Sequence, residues 1–446
     1  MSSKRLATNN NQLPEGYKKT DIGVIPEDWE AKLLGDIFRL KNGFSFKSEY
    51  FSSSGPIVLT PGNFKLDGGL YFNDRNIKRY SGGFPESMTF KNRDLLVVMT
   101  DLTPDCNLLG KPAFVDSEET ILHNQRIGKI NLLSENINPI FLYFILLSSP
   151  YLKKIKEQAT GSTVRHTSNK SIYSISLPIP KTKEEQKAIA QTLSDVDALI
   201  ASLDKLIAKK RNIKTGTMQQ LLTGKTRLLG FGEGNGYKKS AIGLIPEDWD
   251  VVRLGFYVDI NSGESPSKFA LLDQGTPYFK VEQLNNDSKY LKTTPYYFRA
   301  RKTIPAGSLI FPKRGASILL NKVRILAQDS FMDTNLMTLT TSNELENEYL
   351  YYFIDYAGLS KVADTTSIPQ INNKHIVPFL IPFPNPKEQK AIAQVLSDID
   401  TEITALEKRR AKTQAIKQGM MQELLTGRTR LKIEHPDDPI TKNSNG

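Results

Sequence analysis

A helical pattern that occurs twice constrains this chain more than any other feature. From about Lys183 to Leu222 the apolar residues Ile189, Leu193, Val196, Ile200, Leu203 and Ile207 fall at alternating steps of four and three, the spacing of a heptad seam. Near the C-terminus Ile392, Leu396, Ile399, Ile403 and Leu406 keep the same rhythm, with Arg410 standing where the next apolar residue belongs. A lone amphipathic helix of this length cannot bury its stripe, and the simplest partner for each copy is the other copy in the same molecule. The spacing therefore predicts an intramolecular, antiparallel helix pair. Gly216 and Gly419 occupy the same place in the two copies, and both copies end in Leu-Leu-Thr-Gly, with Gly224 and Gly427 suited to a left-handed cap. About forty helical residues at 1.5 Å each make a rod of roughly 60 Å, the dimension of a spacer.

The repeat extends beyond the helices. GYKKTDIGVIPEDWEAKLLGDIF at 16–38 returns as GYKKSAIGLIPEDWDVVRLGFYV at 236–258. Ile-Pro-Glu-Asp-Trp places Trp29 and Trp249 just after a proline turn, as packing anchors for the first strand of each half. Between this opening and each helix lie short apolar runs broken by Gly, Pro, Asn and Asp: PIVLT, DLLVVMT, KPAFV and QRIGKINLL first, then GTPYFKV, GSLIF, ILAQDSF and NLMTLTT. These predict strands joined by turns. A helix is expected at about Pro139–Glu157 and another over ENEYLYYFIDYAGLSKVA, each followed by a polar loop that carries Asn169-Lys170 or Asn373-Lys374.

The fold class is thus α+β with an internal two-fold repeat: two globular domains separated by two long antiparallel coiled-coil helices. The expected boundaries are a flexible tail at 1–15, a first head at 16–182, a helix at 183–228 and a linker at 229–235. A second head at 236–386, a second helix at 387–431 and a tail at 432–446 complete the chain.

A length of 446 residues agrees with several domains. No apolar run approaches the ~18 residues that span a bilayer, and the N-terminus lacks the apolar core of a signal peptide, so a cytoplasmic protein with no membrane partner is expected. One cysteine, Cys106, excludes an internal disulfide framework, and one Cys with four His makes no conventional zinc site. The net charge of +11 favours a polyanionic partner.

Motifs for catalysis are absent. Gly224-Lys225-Thr226 ends like a phosphate-binding loop, but Gln219 stands where its first glycine belongs and the segment closes a helix. Glu185-Gln-Lys187 and Glu388-Gln-Lys390 resemble the Glu-x-Lys of nucleases, with Pro104-Asp105 as a partner, yet both sit at helix starts where Glu suits the dipole. GFGEGNG at 230–236 lacks the dinucleotide spacing and reads as a linker. No Asn-Pro-Pro-aromatic run is present to hold a flipped base. No catalytic, cofactor-binding or metal residues are assigned.

Basic and amide side chains gather in the loops instead. The first head carries Lys41, Asn42, Lys47, Lys91, Arg93, Gln125, Arg126, Arg165 and His166. The second carries Lys268, Lys313, Arg314, Lys322, Arg324, Gln328, Gln370, Asn372 and Asn373. Lys and Arg suit phosphates, and Arg, Gln and Asn read base edges bidentately.

The whole pattern resembles the DNA-specificity subunit of type I restriction-modification systems. The resemblance covers nearly the entire chain. It rests on Ile-Pro-x-x-Trp at Ile25–Trp29 and Ile245–Trp249, on Asn42–Lys47 answered by Ser262–Lys268, and on the polar loop after each head's helix. Above all it rests on Pro-x-Pro…Glu-Gln-x-x-Ile-Ala-x-x-Leu at Pro178–Leu193 and Pro382–Leu396. The first head departs from the usual Gly-Ser-x-x-Pro loop, since Gly161-Ser-Thr-Val164 is followed by Arg165 and His166; in the second, Thr365 replaces the glycine while Pro369 is kept. The resemblance implies two target-recognition domains for the halves of a split double-stranded DNA site, with paired helices that set the gap and dock two modification (methyltransferase) subunits, joined by restriction/translocase subunits. It implies a non-catalytic chain that binds no cofactor. S-adenosylmethionine, ATP and magnesium belong on the partners, and the assembled complex is an adenine-N6 DNA methyltransferase and site-specific deoxyribonuclease of prokaryotic cytoplasm. The first alternative is a two-headed protein-interaction scaffold without DNA readout; the second, less favoured because no catalytic residues are found, is a self-sufficient nuclease or methyltransferase.

Overall fold

The short apolar runs become strands, and those at Leu95–Val98 and Leu309–Pro312 are buried on both faces. In the computed structural model, which describes residues 13–432 except 104, 234–235, 269, 287, 300–302 and 365–367, the chain divides into two units. One is Met1–Ser202 with Arg410–Gly446, the other Leu203–Arg409. Nearly all of both expected tails, Pro104, Thr365 and the last two residues of the 229–235 linker lie outside the described residues.

The first unit is built on an antiparallel sheet of β1 (Phe38–Asn42), β2 (Leu95–Val98), β4 (Pro112–Phe114) and β5 (Ile127–Leu132), in the order β1-β5-β2-β4; between β2 and β4 in sequence comes the two-residue β3 (Thr100–Asp101). Leu95 and Val97 of β2 face a core made with the helices, whereas Leu96 and Val98 face a second core with Ala113, Ile121 and Ile127. Double-sided burial is why this run shows no polar alternation. The helix expected at about Pro139–Glu157 is two helices, α1 (Pro139–Ile145) and α2 (Ser149–Glu157). Pro150 has no N–H to continue the first helix, so the chain breaks and restarts. The polar loop that follows contains a strand, β6 (Arg165–His166), paired antiparallel with β3.

The second unit repeats this plan. Its main sheet comprises β7 (Val258–Ser262), β8 (Tyr290–Leu291), β9 (Leu309–Pro312), β10 (Arg324–Leu326) and β11 (Leu336–Thr341), in the order β7-β11-β9-β10-β8. Leu309 and Phe311 face one core and Ile310 another. A single helix, α4 (Asn347–Ala357), ends at Gly358 and is followed by a 3-10 turn at Leu359–Lys361.

Two 39-residue helices, α3 (Lys183–Leu221) and α5 (Pro386–Leu424), each contribute to both units. Within the first unit Asp197 pairs with Lys417 at 2.5 Å, and Ile189 and Leu193 share a core with Leu424 and Leu425. Within the second, Arg211 meets Glu407 at 2.6 Å and Lys214 meets Asp400 at 2.8 Å. As one number rises the other falls, so the segments run antiparallel. Of the seam residues, Ile189, Leu193, Leu203, Ile207, Ile392, Leu396 and Ile403 are buried. Val196, Ile200, Ile399 and Leu406 are half-buried, as is Arg410, which donates to Gln414.

The two tryptophans explain the repeated frame. Trp29 and Trp249 are fully buried. The Trp29 indole N–H donates to Glu185 Oε2 at 3.1 Å, and that of Trp249 donates to Glu388 Oε2 at 3.0 Å. Arg430 joins Glu185 to Asp28, and Arg227 joins Glu388 to Asp248. The Glu of each Glu-x-Lys is thus a structural acceptor at the start of its helix. Gly224 and Gly427 both take φ +70, and a Cβ at either would lie within 2.5 Å of the proline of the opposite Ile-Pro-Glu-Asp-Trp copy, Pro246 or Pro26. Each long helix therefore ends against the opening motif of the unit it runs into.

Candidate nucleic-acid interface

In the first unit the end of β1, the end of β2 and the start of β5 lie side by side, because Asn42 registers with Gly128 and Val98 with Ile127. Gly43 makes the approach possible: a Cβ there would sit 2.3 Å from the Asn124 carbonyl oxygen. Phe44 N–H donates to His123 O at 2.7 Å, and Gln125 N–H donates to Phe44 O at 3.0 Å. Met99 links the neighbouring loops, its N–H donating to Arg126 O and its carbonyl accepting from Thr167. Thr100 Oγ1 lies 3.1 Å from His166 Nδ1. Asn42, Gln125, Arg126, Arg165 and His166 are thereby gathered at one end of the sheet.

Asp101 organises this end. Its buried carboxylate accepts from the backbone N–H groups of Thr103, Leu108 and Leu109 at 2.8, 2.6 and 3.2 Å, which ties those residues beside β6. Thr100 and Asp101 were absent from the candidates drawn from sequence. Their signal was a polar pair closing the apolar run Leu95–Met99. Other candidates lie elsewhere. Lys41 donates to Ser87 O at 2.7 Å, and Lys47 is an exposed residue 3.9 Å from Glu49. Lys91 and Arg93 precede β2 at its opposite end, where the Arg93 guanidinium sits 5.2 Å from the Phe114 ring centroid.

The second unit assembles the corresponding loops with different side chains. A Cβ on Gly263 would lie 2.1 Å from the Asp333 carbonyl oxygen, and Glu264 N–H donates to Met332 O at 3.0 Å. Lys313 donates its N–H to Asn335 O and accepts from Ile371 N–H, both at 2.9 Å, while Arg314 bridges Gln370. Asn372 caps the one-turn helix Asn373–Ile376. Lys313, Arg314, Gln370, Asn372 and Asn373 are thus one group. Burial, with Arg314 beside it, holds the Lys313 ammonium below the usual lysine pKa. Lys268 is exposed and pairs with Glu264 at 3.2 Å. Lys322 bonds the Asn285 side chain, Arg324 donates to the carbonyls of Leu284 and Asn286, and Gln328 donates to Lys292 O. These three tie down Leu284–Asn286 and Lys292.

Such clusters of guanidinium, ammonium and amide donors can bind phosphate oxygens and base edges. Among the described residues no group of three or more His, Cys, Asp or Glu is placed to hold a metal, and no helix is long and apolar enough to cross a membrane.

Comparison with known proteins places these observations. The family model described as type I restriction modification DNA specificity domain matches residues 26–210 and again 246–418. The type I restriction enzyme MjaVIII specificity subunit of Methanocaldococcus jannaschii is 26% identical over 438 residues, covering 94% of this chain and 97% of that protein. The type I restriction enzyme EcoBI specificity subunit of Escherichia coli is 28% identical over 238 residues, covering 50% of this chain and 45% of that one. In fold, the chain resembles the crystal structure of the type I restriction-modification S subunit from M. genitalium, with a TM-score of 0.56 at 17% identity, over 93% of this chain and 98% of that one.

Proposed function

Because the chain belongs to the type I restriction-modification DNA specificity family, as a specificity subunit and not a catalytic one, we propose that each unit reads one half of a split double-stranded DNA site through the loops at its sheet end. One observation carries this reading. The same strand ends converge in both units while their side chains differ: Asn42, Gln125, Arg126 and His166 in one, Lys313, Arg314, Gln370 and Asn372 in the other. A common scaffold with unlike donors suits two unlike half-sites. In this reading residues 16–182 and 236–386 are the target-recognition domains, and the helical segments 183–228 and 387–431 set the gap between half-sites.

The helices also offer a surface for the modification subunits. Leu206 and Ile213 of α3, seven residues apart and hence on one face, are about two-fifths exposed. The positions one repeat later on α5 are Arg409 and Ile416, so the two copies share a frame and differ in chemistry. S-adenosylmethionine, ATP and magnesium act on the partner subunits, which supply methylation and cleavage.

The test is to co-express the chain with its modification subunit and map methylated adenines across the genome. A split motif with a fixed gap is the expected result. A stable complex that shows neither a methylated motif nor salt-dependent DNA binding overturns the reading.

A further inference from the structure

An open cavity of about 490 Å³ in the first unit is lined by Cys106, Lys111, Leu152, Lys153 and Lys156, among others. It adjoins the loop cluster. The Arg165 Nε–H donates to Cys106 Sγ at 3.3 Å, and the Lys111 carbonyl accepts from Val98, at the end of β2. Arg165 thus contacts the cavity wall at Cys106.

Three lysines, Lys111, Lys153 and Lys156, line it. Lys153 is 3.9 Å from Glu157. Lys111 and Lys156 make no side-chain hydrogen bond or ion pair among the described residues. Burial lowers the Lys111 pKa, the Lys156 charge lowers it further, and Asp67 opposes both. Glu157 also lines the cavity and Asp67 lies within electrostatic reach of Lys111, so the three lysines outnumber the nearby carboxylates, and a bound anion relieves the remaining positive charge. The second unit has a single 3-10 turn, Leu359–Lys361, after α4, where the first has α2.

We propose that this cavity is a phosphate site, in which Lys111 and Lys156, with Lys153 at the rim, hold a backbone phosphodiester of DNA flanking the half-site read by the first unit. Among its described residues the second unit has no helix like α2 after α4 to supply such lysines, so the first unit grips its flank more firmly. The inference rests on the DNA reading above and sharpens it for one unit.

The experiment measures DNA affinity against salt for the full chain in complex with its modification subunits, on DNA carrying the mapped site. For Lys111→Gln/Lys156→Gln the slope of log K against log salt is expected to shallow by about one to two, at roughly 0.9 per phosphate, with the methylated motif unchanged. Lys111→Arg/Lys156→Arg keeps the wild-type slope, which separates charge from packing. An unchanged slope in the Gln variant, or an equal loss in the Arg variant, overturns the site and leaves the DNA reading standing. A wild-type complex whose binding ignores salt overturns both. If inorganic phosphate raises the melting temperature of the wild type but not of the Gln variant while the DNA slopes coincide, the cavity holds a free anion and the DNA assignment is wrong.

Discussion

Arg430 donates two hydrogen bonds to the carboxylate of Asp28, 2.8 and 2.7 Å long, across 402 residues of chain. The same guanidinium bonds Glu185, which also receives the Trp29 indole, so the described C-terminal end of the chain completes a site built by its N-terminal part. The second unit builds the same site within a shorter stretch, from Arg227, Asp248, Glu388 and Trp249.

Replacing Arg430 with Met leaves the buried Glu185 carboxylate with the indole alone. The expected cost is roughly 2 kcal/mol in the first unit, moderated because Arg430 is partly hydrated. Arg227→Met acts on the second unit and costs more, about 3 kcal/mol, because Arg227 is better enclosed. Hydrogen exchange read separately on the strands of each unit checks both. Equal loosening of both units by either variant contradicts the assignment.

Arg430 also holds the Asp28 carboxyl below its ordinary pKa, chiefly through their hydrogen bonds. A depressed carboxylate contributes stability above the unfolded pKa and loses it as pH falls through the folded value. The clasp therefore weakens only in acid, below about pH 4, and Asp28→Asn removes that acid-dependent component from the unfolding curve.

His123 has the opposite chemistry and a milder pH window. It is buried 4.4 Å from the Phe90 ring, its Nε2–H donates to Ile127 O at 2.8 Å, and burial lowers its pKa. The unfolded chain takes up the proton first, so the stability lent by the neutral ring is present above about pH 6.5 and is lost as pH falls. The melting temperature of the first unit should drop between neutral pH and about pH 5.5, and His123→Gln should flatten that dependence.

Gly43→Ala and Gly263→Ala place a methyl group against backbone that cannot turn aside. Each is expected to cost about 1–3 kcal/mol and to spoil one half-site only. Methylome mapping of the two variants should show a degenerate first half in one and a degenerate second half in the other.

Deleting seven residues from α3 and the matching seven from α5 preserves the seam register. At 1.5 Å per residue the recognised gap should shrink by about three base pairs while both half-sites stay the same. An unchanged gap would show that the helices do not set it.

The sequence by itself determined what depends on local period and on repetition. The heptad rhythm from Ile189 and from Ile392, the doubled Ile-Pro-Glu-Asp-Trp and the Gly-capped Leu-Leu-Thr-Gly ends were legible because each is a pattern of near neighbours, and together they were sufficient to show the family. Tertiary structure decided the rest. Sequence reasoning grouped Lys91, Arg93, Lys322 and Arg324 with the loop donors by composition; packing put Lys91 and Arg93 at the far end of β2 and tied Lys322 and Arg324 to a neighbouring segment. It also brought Asp101 to β6, Arg430 to Asp28 and Lys111 toward Lys156. Pairings of this kind join residues far apart in the chain, and they follow from how sheets and helices bury their faces, which no local pattern encodes.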